Sequence, residues 1–150
     1  MIETDLMPTI IADTYELAGA FRARGEAIAA AIGQSQARWQ VLSAASGEPL
    51  TVPQIARRLG VTRQAVQRIA DLLVADGLAR YVANPDHKAS LHLILTDAGE
   101  AVLATLTRGA RASHEAMSAK LQDIDLAALR RDLRRLLIAL NGPRKFDHGE

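Results

Sequence analysis

The chain has 150 residues, 49% of them apolar, with 18 basic and 17 acidic side chains and no cysteine. That length fits one domain of ordinary size, and a compact chain of it buries roughly 70% of its unfolded surface without disulfide help. The missing cysteine excludes disulfides, thiolate metal sites, cysteine nucleophiles and thiol redox sensing.

Residues 9–32 read as a long helix. Ile10, Leu17, Phe21, Ile28 and Ile32 are spaced so that they share one stripe, and Gly33 stops the run. Ser35 caps a second helix from Gln36 to Ala45, ended by Gly47, and Glu48-Pro49 reads as a linker. Thr51-Val52-Pro53-Gln54 is a capping box that opens a helix of about two turns, with Val52, Ile55, Ala56 and Leu59 on its apolar face. Gly60 breaks it, and Thr62 caps the next helix, Arg63 to Asp76. Val66, Ile69, Ala70 and Leu73 form its inner face, and Arg63, Gln64, Gln67, Arg68 and Asp71 its outer face. Two short helices joined by a tight glycine turn read as a helix-turn-helix.

Leu78 to Ala83 and Leu91 to Leu95 read as two strands around an Asn84-Pro85-Asp86 turn, which makes a wing. Thr96 caps a further long helix to about Leu121. The last helix is expected over 124–140, with Leu126, Leu129, Leu133, Leu136 and Leu140 as its seam, and the tail from Gly142 to Glu150 is expected to fray. The fold class expected is mainly α with a small β-hairpin wing. No stretch approaches the ~18 apolar residues that span a bilayer. Met1 to Pro8 carries Glu3 and Asp5 without a basic residue, unlike a secretory signal. A soluble, cytoplasmic protein is the expectation.

Charge is uneven along the chain. Residues 51–95 carry 6 basic and 3 acidic groups, whereas residues 1–50 carry 3 and 6. The basic excess, from Arg57, Arg58, Arg63, Arg68, Arg80 and Lys88, coincides with the helix-turn-helix and suits a polyanion. Arginine matches guanine O6 and N7, and glutamine matches adenine N6 and N7, so Arg63, Gln64 and Gln67 carry base-reading chemistry on the outward face of the second helix. Arg68 suits a base or a phosphate, and Thr62 suits a phosphate or a plain helix cap. One Trp, two Tyr and two Phe are too few for a platform that stacks single-stranded bases.

No catalytic signature is present: there is no Gly-x-Ser-x-Gly, no Gly-rich phosphate loop and no His-Glu-x-x-His. Histidines 87, 92, 114 and 148 form no ligand pair. His114-Glu115 would need further ligands brought in by folding, and an exposed helix histidine is its plain alternative. No metal, cofactor or enzymatic activity is expected.

These pieces together resemble the MarR family of winged-helix transcriptional regulators. The resemblance rests on Arg38-Trp39-Gln40-Val41-Leu42, on Gln54 through Val61 into the turn, on Thr62 through Arg68, on Asp76-Gly77-Leu78, on Asn84-Pro85 and on Leu95 through Gly99. It covers about residues 35–105 by motif and the whole chain by helix order. It implies a homodimer with residues 1–33 and 121–150 as dimerisation helices, 34–96 as the winged helix-turn-helix lobe and 97–120 as a connecting helix. Leu17, Phe21, Leu133, Leu136 and Leu140 are the expected dimer contacts. DNA contacts are expected from Thr62, Arg63, Gln64, Gln67, Arg68 and Arg57, with His87 and Lys88 at the wing.

The family's Asp-Arg-Arg run in the wing is replaced here. Anchored at both ends, its positions hold His87, Lys88 and Ala89; a slip by one places Asp86 at the acidic position. The partners implied are double-stranded DNA bearing a pseudo-palindromic operator, a second copy of the chain, and a small aromatic or anionic effector. Tyr15, Phe21, Arg22 and Trp39 are candidate liners of the effector cleft, with a place in the core as the alternative for Phe21 and Trp39. The function implied is a repressor that the effector releases; the alternative is a winged-helix module that binds protein and no DNA.

Overall fold

A computed structural model describes residues 6–143. The elements run α1 (Met7–Ala30), α2 (Gln36–Ser46), β1 (Leu50–Thr51), α3 (Val52–Leu59), α4 (Arg63–Ala75), β2 (Ala79–Val82), β3 (His92–Leu95), α5 (Asp97–Ala119) and α6 (Leu126–Asn141). They fall into two compact units, one ending at Arg111 and one beginning at Ala112, so the boundary lies within α5. The expected fraying of the tail and His148 concern positions that lie largely or wholly outside the described residues.

Local chemistry explains where the helices start and stop. Pro8 occupies the first turn of α1, where its missing N–H costs nothing, and the helix begins two residues earlier than expected. It ends at Ala30 because the Gln34 N–H turns back to the Ala29 carbonyl at 3.0 Å while Gly33 takes φ +73°. The capping box of α3 is complete: Thr51 Oγ1 accepts from the Gln54 N–H at 3.3 Å, and Gln54 Oε1 accepts from the Thr51 N–H at 2.8 Å. Gly60, at φ +68°, ends α3 in the left-handed region, and Thr62 Oγ1 accepts from the Ala65 N–H to open α4. Asp125 caps α6 by accepting from the Ala128 N–H at 2.9 Å, so that helix begins at Leu126 rather than 124.

The wing is a three-stranded antiparallel sheet in the order β1-β3-β2, not a bare hairpin. Tyr81 lies opposite Leu93 in the β2–β3 ladder, and Leu50 opposite Leu93 in the β1–β3 ladder. The extra strand follows the Glu48-Pro49 linker directly; two residues carry no periodicity from which to read a strand. Its pairing roots the hairpin in the helical lobe, because Thr51 is at once a strand residue and the cap of α3.

The core of the first unit is made where the helices and sheet meet. Val41 and Leu42 of α2, Ile55 of α3, Val66 and Leu73 of α4, Leu93 of β3 and Leu106 of α5 are fully buried. Most of the expected inner faces are therefore in place, with Leu59 and Ile69 half-buried against this cluster. Arg38 crosses from α2 to the end of α4, where its guanidinium donates to Asp76 at 2.6 Å. The C-terminal unit is different. No residue of α6 is buried, and Leu126, Leu129, Leu133 and Leu140 are all exposed, Leu140 at 79%.

A clasp joins the end of α4 to the start of α5. Thr96 Oγ1 donates to the Gly77 carbonyl at 2.6 Å and accepts from the Gly99 N–H at 3.1 Å, while the Thr96 N–H donates to the Leu78 carbonyl at 3.1 Å. Gly99 is buried so tightly that a Cβ there would lie 1.9 Å from the Leu78 carbonyl oxygen. A backbone atom cannot yield as a side chain does. Gly99→Ala is therefore expected to destabilise the protein by more than ~2 kcal/mol, from overpacking against a fixed carbonyl. Gly19, which has open space around its Cβ position, is the control: Gly19→Ala in mid-helix should be neutral or stabilising by up to ~1 kcal/mol. Urea unfolding of the two variants beside the parent measures both.

Candidate nucleic-acid interface

The helix-turn-helix places one face of α4 in solvent. Val66, Ala70 and Leu73 are drawn into the core, and the 3.6-residue period then turns Arg63, Gln64, Gln67, Arg68 and Asp71 outward, all of them exposed. Arg63, Gln64 and Arg68 make no side-chain hydrogen bond or ion pair among the described residues. Thr62 uses an oxygen lone pair on the Ala65 N–H, which leaves its hydroxyl proton free for a phosphate. Arg57 and Arg58 lie exposed in the last turn of α3, where the helix dipole also favours cations.

The wing tip is built by consecutive turns. Asn84 is buried, and its Oδ1 accepts from the Asp86 N–H at 3.0 Å. The His87 N–H donates to the Asn84 carbonyl, and the Ser90 N–H to the His87 carbonyl, each at 3.2 Å. These turns leave the His87 and Lys88 side chains exposed. Between the wing and α4 runs a groove of about 540 Å³ lined by Pro53, Arg63, Gln64, Gln67, Tyr81 and Ser90, among others. The structure thus brings Arg63, Gln64 and Gln67 to one groove wall, with the wing opposite.

Asp71, which the sequence already places on the outer face of α4, is joined on this surface by Tyr81, which the sequence did not single out. Tyr81 OH donates to Asp71 Oδ1 at 2.6 Å, and Gln67 Nε2 donates to the same Asp71 oxygen at 2.9 Å and to Tyr81 OH at 2.8 Å. The Gln67–Asp71 half is an i, i+4 pair that the sequence already contained. The Tyr81 half needed the hairpin to be placed. Burial, then the hydrogen bond to Asp71 and its negative charge, push the Tyr81 phenol up to about 12, against a smaller opposing effect of Gln67. The hydroxyl therefore keeps its proton across neutral pH.

The remaining expected site residues lie elsewhere. Leu17 and Phe21 on α1 are half exposed, as is Leu133 on α6, and Leu136 is half-buried. Of the expected stripe only Ile28 is half-buried, beside the fully buried Ala29, whereas Ile10, Leu17, Phe21 and Ile32 are exposed. Tyr15 and Arg22 stand exposed on α1, whereas Trp39 packs against the core of the first unit. Among the described residues no three His, Asp or Glu side chains gather as a metal site, and no helix is long and apolar enough to cross a membrane.

Comparison with known proteins meets this geometry at the same residues. The MarR family model matches residues 32–90, from the end of α1 through the wing tip. Uncharacterised proteins of Mycobacterium tuberculosis and Mycobacterium bovis are 47% identical over 141 residues, covering 94% of this chain and 99% of theirs. A MarR-family transcriptional regulator from Silicibacter pomeroyi superposes with a TM-score of 0.72 at 28% identity, over 84% of this chain and 86% of that one. The transcriptional regulator MosR of M. tuberculosis shares the fold with a TM-score of 0.70 at 23% identity, over 92% and 99%. With its helix-turn-helix, wing and polar recognition face in that common frame, the chain belongs to the MarR family of winged-helix transcriptional regulators.

Proposed function

We propose that the protein is a homodimeric, sequence-specific repressor that leaves its operator when a small effector binds. The family's regulators are non-enzymatic transcription factors. The observation that carries the sequence-specific reading is the outer face of α4. Arg63, Gln64 and Arg68 are long, polar, exposed and unpartnered among the described residues, beside a wing whose tip bears Lys88. A winged helix serving only as a protein scaffold has no use for such a face and would favour apolar side chains there. In this reading α4 enters the major groove, Arg63 and Gln64 meet base edges, and Thr62, Arg57 and Arg68 meet phosphates. Lys88, with His87 beside it, adds charge against the backbone. A lysine lacks the guanidinium fork and favours phosphates over particular bases.

The dimer reading rests on apolar surface that this chain leaves uncovered. Leu17 and Phe21 on α1, and Leu133 and Leu140 on α6, are each more than 40% exposed, and Leu136 lies within the α6 seam. Fully burying one such side chain is worth roughly 1.5–3 kcal/mol, so a second copy covering both helices supplies a large driving force. Two lobes held this way present two α4 helices to successive major grooves of a pseudo-palindromic operator. An effector changes their spacing and so breaks the match. Tyr15, Arg22 and Trp39 are the residues we assign to a small aromatic or anionic effector, with Arg22 supplying the cation. DNA occupancy blocks transcription sterically, which puts the protein's work in the cytoplasm.

Three outcomes are expected. Leu133→Asp combined with Leu140→Asp should convert a dimeric mass in light scattering to a monomeric one, with the helical circular dichroism retained; a parent that is monomeric at micromolar concentration would sink the dimer. In binding to duplexes selected from a random library, Gln64→Ala should cost ~1–3 kcal/mol and relax preference at one or two positions per half-site. Lys88→Ala should instead weaken binding to all sequences alike and lower the salt slope by about 1 for each phosphate it no longer neutralises. A loss confined to one sequence would show that the wing reads bases.

A further inference from the structure

The closed triangle of Gln67, Asp71 and Tyr81 fixes which end of the Gln67 amide is free. The Asp71 carboxylate only accepts, so the side of the amide turned toward it must be the NH2 group. Reversing the amide would set Gln67 Oε1 against Asp71 Oδ1. Tyr81 OH gives its proton to Asp71, and its oxygen then accepts from Gln67 Nε2. The Gln67 NH2 group is thereby turned to Asp71 and Tyr81 and bonds to both. What remains is the carbonyl oxygen, which has no partner among the described residues and belongs to a side chain lining the groove between α4 and the wing.

We propose that Asp71 and Tyr81 are positioning residues that make Gln67 a pure hydrogen-bond acceptor, so that it selects bases bearing an exocyclic amino group. An unrestrained glutamine grips adenine twice, accepting from N6 and donating to N7. With its donors occupied, Gln67 makes only the first of these bonds. It reads adenine N6 or cytosine N4 equally, and it rejects guanine and thymine, whose O6 and O4 turn a lone pair toward its own. The wing thus shapes specificity without its tip touching a base, since Tyr81 lies on β2 and works through Gln67. The raised phenol pKa agrees with this arrangement, because it keeps Tyr81 a donor to Asp71 at every pH at which DNA binding is measured. A side chain already held in place also loses little further rotamer entropy on binding.

The proposal rests on the DNA-reading role of α4, and its test separates the two. Duplexes are selected from a random library with the parent and with Gln67→Ala, and the position whose preference disappears in Gln67→Ala is the one Gln67 reads. The parent should accept adenine or cytosine there. Replacing that adenine by purine, which lacks N6, should weaken binding about tenfold, the worth of one good hydrogen bond. Replacing it by 7-deazaadenine, which lacks N7, should leave affinity unchanged. Tyr81→Phe keeps the ring and its packing, and Asp71→Ala combined with it releases the amide. That double variant should narrow the preference to adenine and become sensitive to 7-deazaadenine.

A parent already sensitive to 7-deazaadenine, or a double variant with the parent's preference, overturns the proposal. So does a selected preference that Gln67→Ala leaves intact, while the DNA-reading role of α4 stands. Sequence-independent binding by the parent would overturn that role and the proposal together. The triangle itself is checked in a Tyr15→Phe background, where Tyr81 alone absorbs as a phenol. Its ionisation should lie near 12 and fall only part of the way toward 10 in Asp71→Asn, because burial, the larger cause, remains. Because the folded value is raised, its stabilising contribution is complete below pH 10 and lost as pH climbs to about 12. A phenol that ionises near 10 in the parent overturns the triangle.

Discussion

The clasp of Thr96 on Gly77, Leu78 and Gly99 is the constraint on which the candidate nucleic-acid surface depends. Gly77 and Leu78 lead into β2, and Thr96 follows directly on β3. Tying them together closes the base of the hairpin, so the wing can leave α4 in only one direction. Gly99 is the residue that permits it, since any Cβ would collide with the Leu78 carbonyl and force α5 away. The threonine does three tasks at one spot: it caps α5, satisfies the Gly77 carbonyl and fixes the hairpin register. From there Tyr81 reaches back to Gln67 over a gap of 14 residues in sequence.

The two ends of the sequence contrast with its middle. The middle buries its apolar residues within one chain and offers polar side chains to solvent. The helices at the ends do the reverse. On α6 every residue has some exposure, leucines included, and on α1 the one buried residue is Ala29. Exposed apolar seams on otherwise well-formed helices are a physical demand for a partner surface.

On the polar surface, position matters more than composition. Arg63, Gln64, Gln67 and Arg68 look interchangeable as donors along one helix face. The fold separates them. Gln64 keeps both its donor and its acceptor, whereas Gln67 has its donors bound by an acid four residues on and a tyrosine from the wing. Two glutamines on adjacent turns are therefore left in different hydrogen-bonding states. Nothing about glutamine's propensity or hydropathy distinguishes them.

Local features of the sequence determined most of the architecture. Glycines 33, 60 and 77 adopt positive φ, and Ser35, Thr51 and Thr62 cap their helices by bonds to backbone N–H groups within three residues. Such bonds are short-range, so the sequence announces them, and the 3.6-residue period tells which face of α4 is buried. The family likeness was legible for the same reason, as a series of local motifs in order. Three things waited for the tertiary structure. The strand at Leu50–Thr51 exists only because β3 arrives beside it. Gly99 reads as an ordinary helix residue until the Leu78 carbonyl is set against it. Tyr81 reads as a wing aromatic until the hairpin closes over α4. Each is a contact between residues far apart in the chain, and such contacts are decided by how packed elements meet, which no local pattern of side chains encodes.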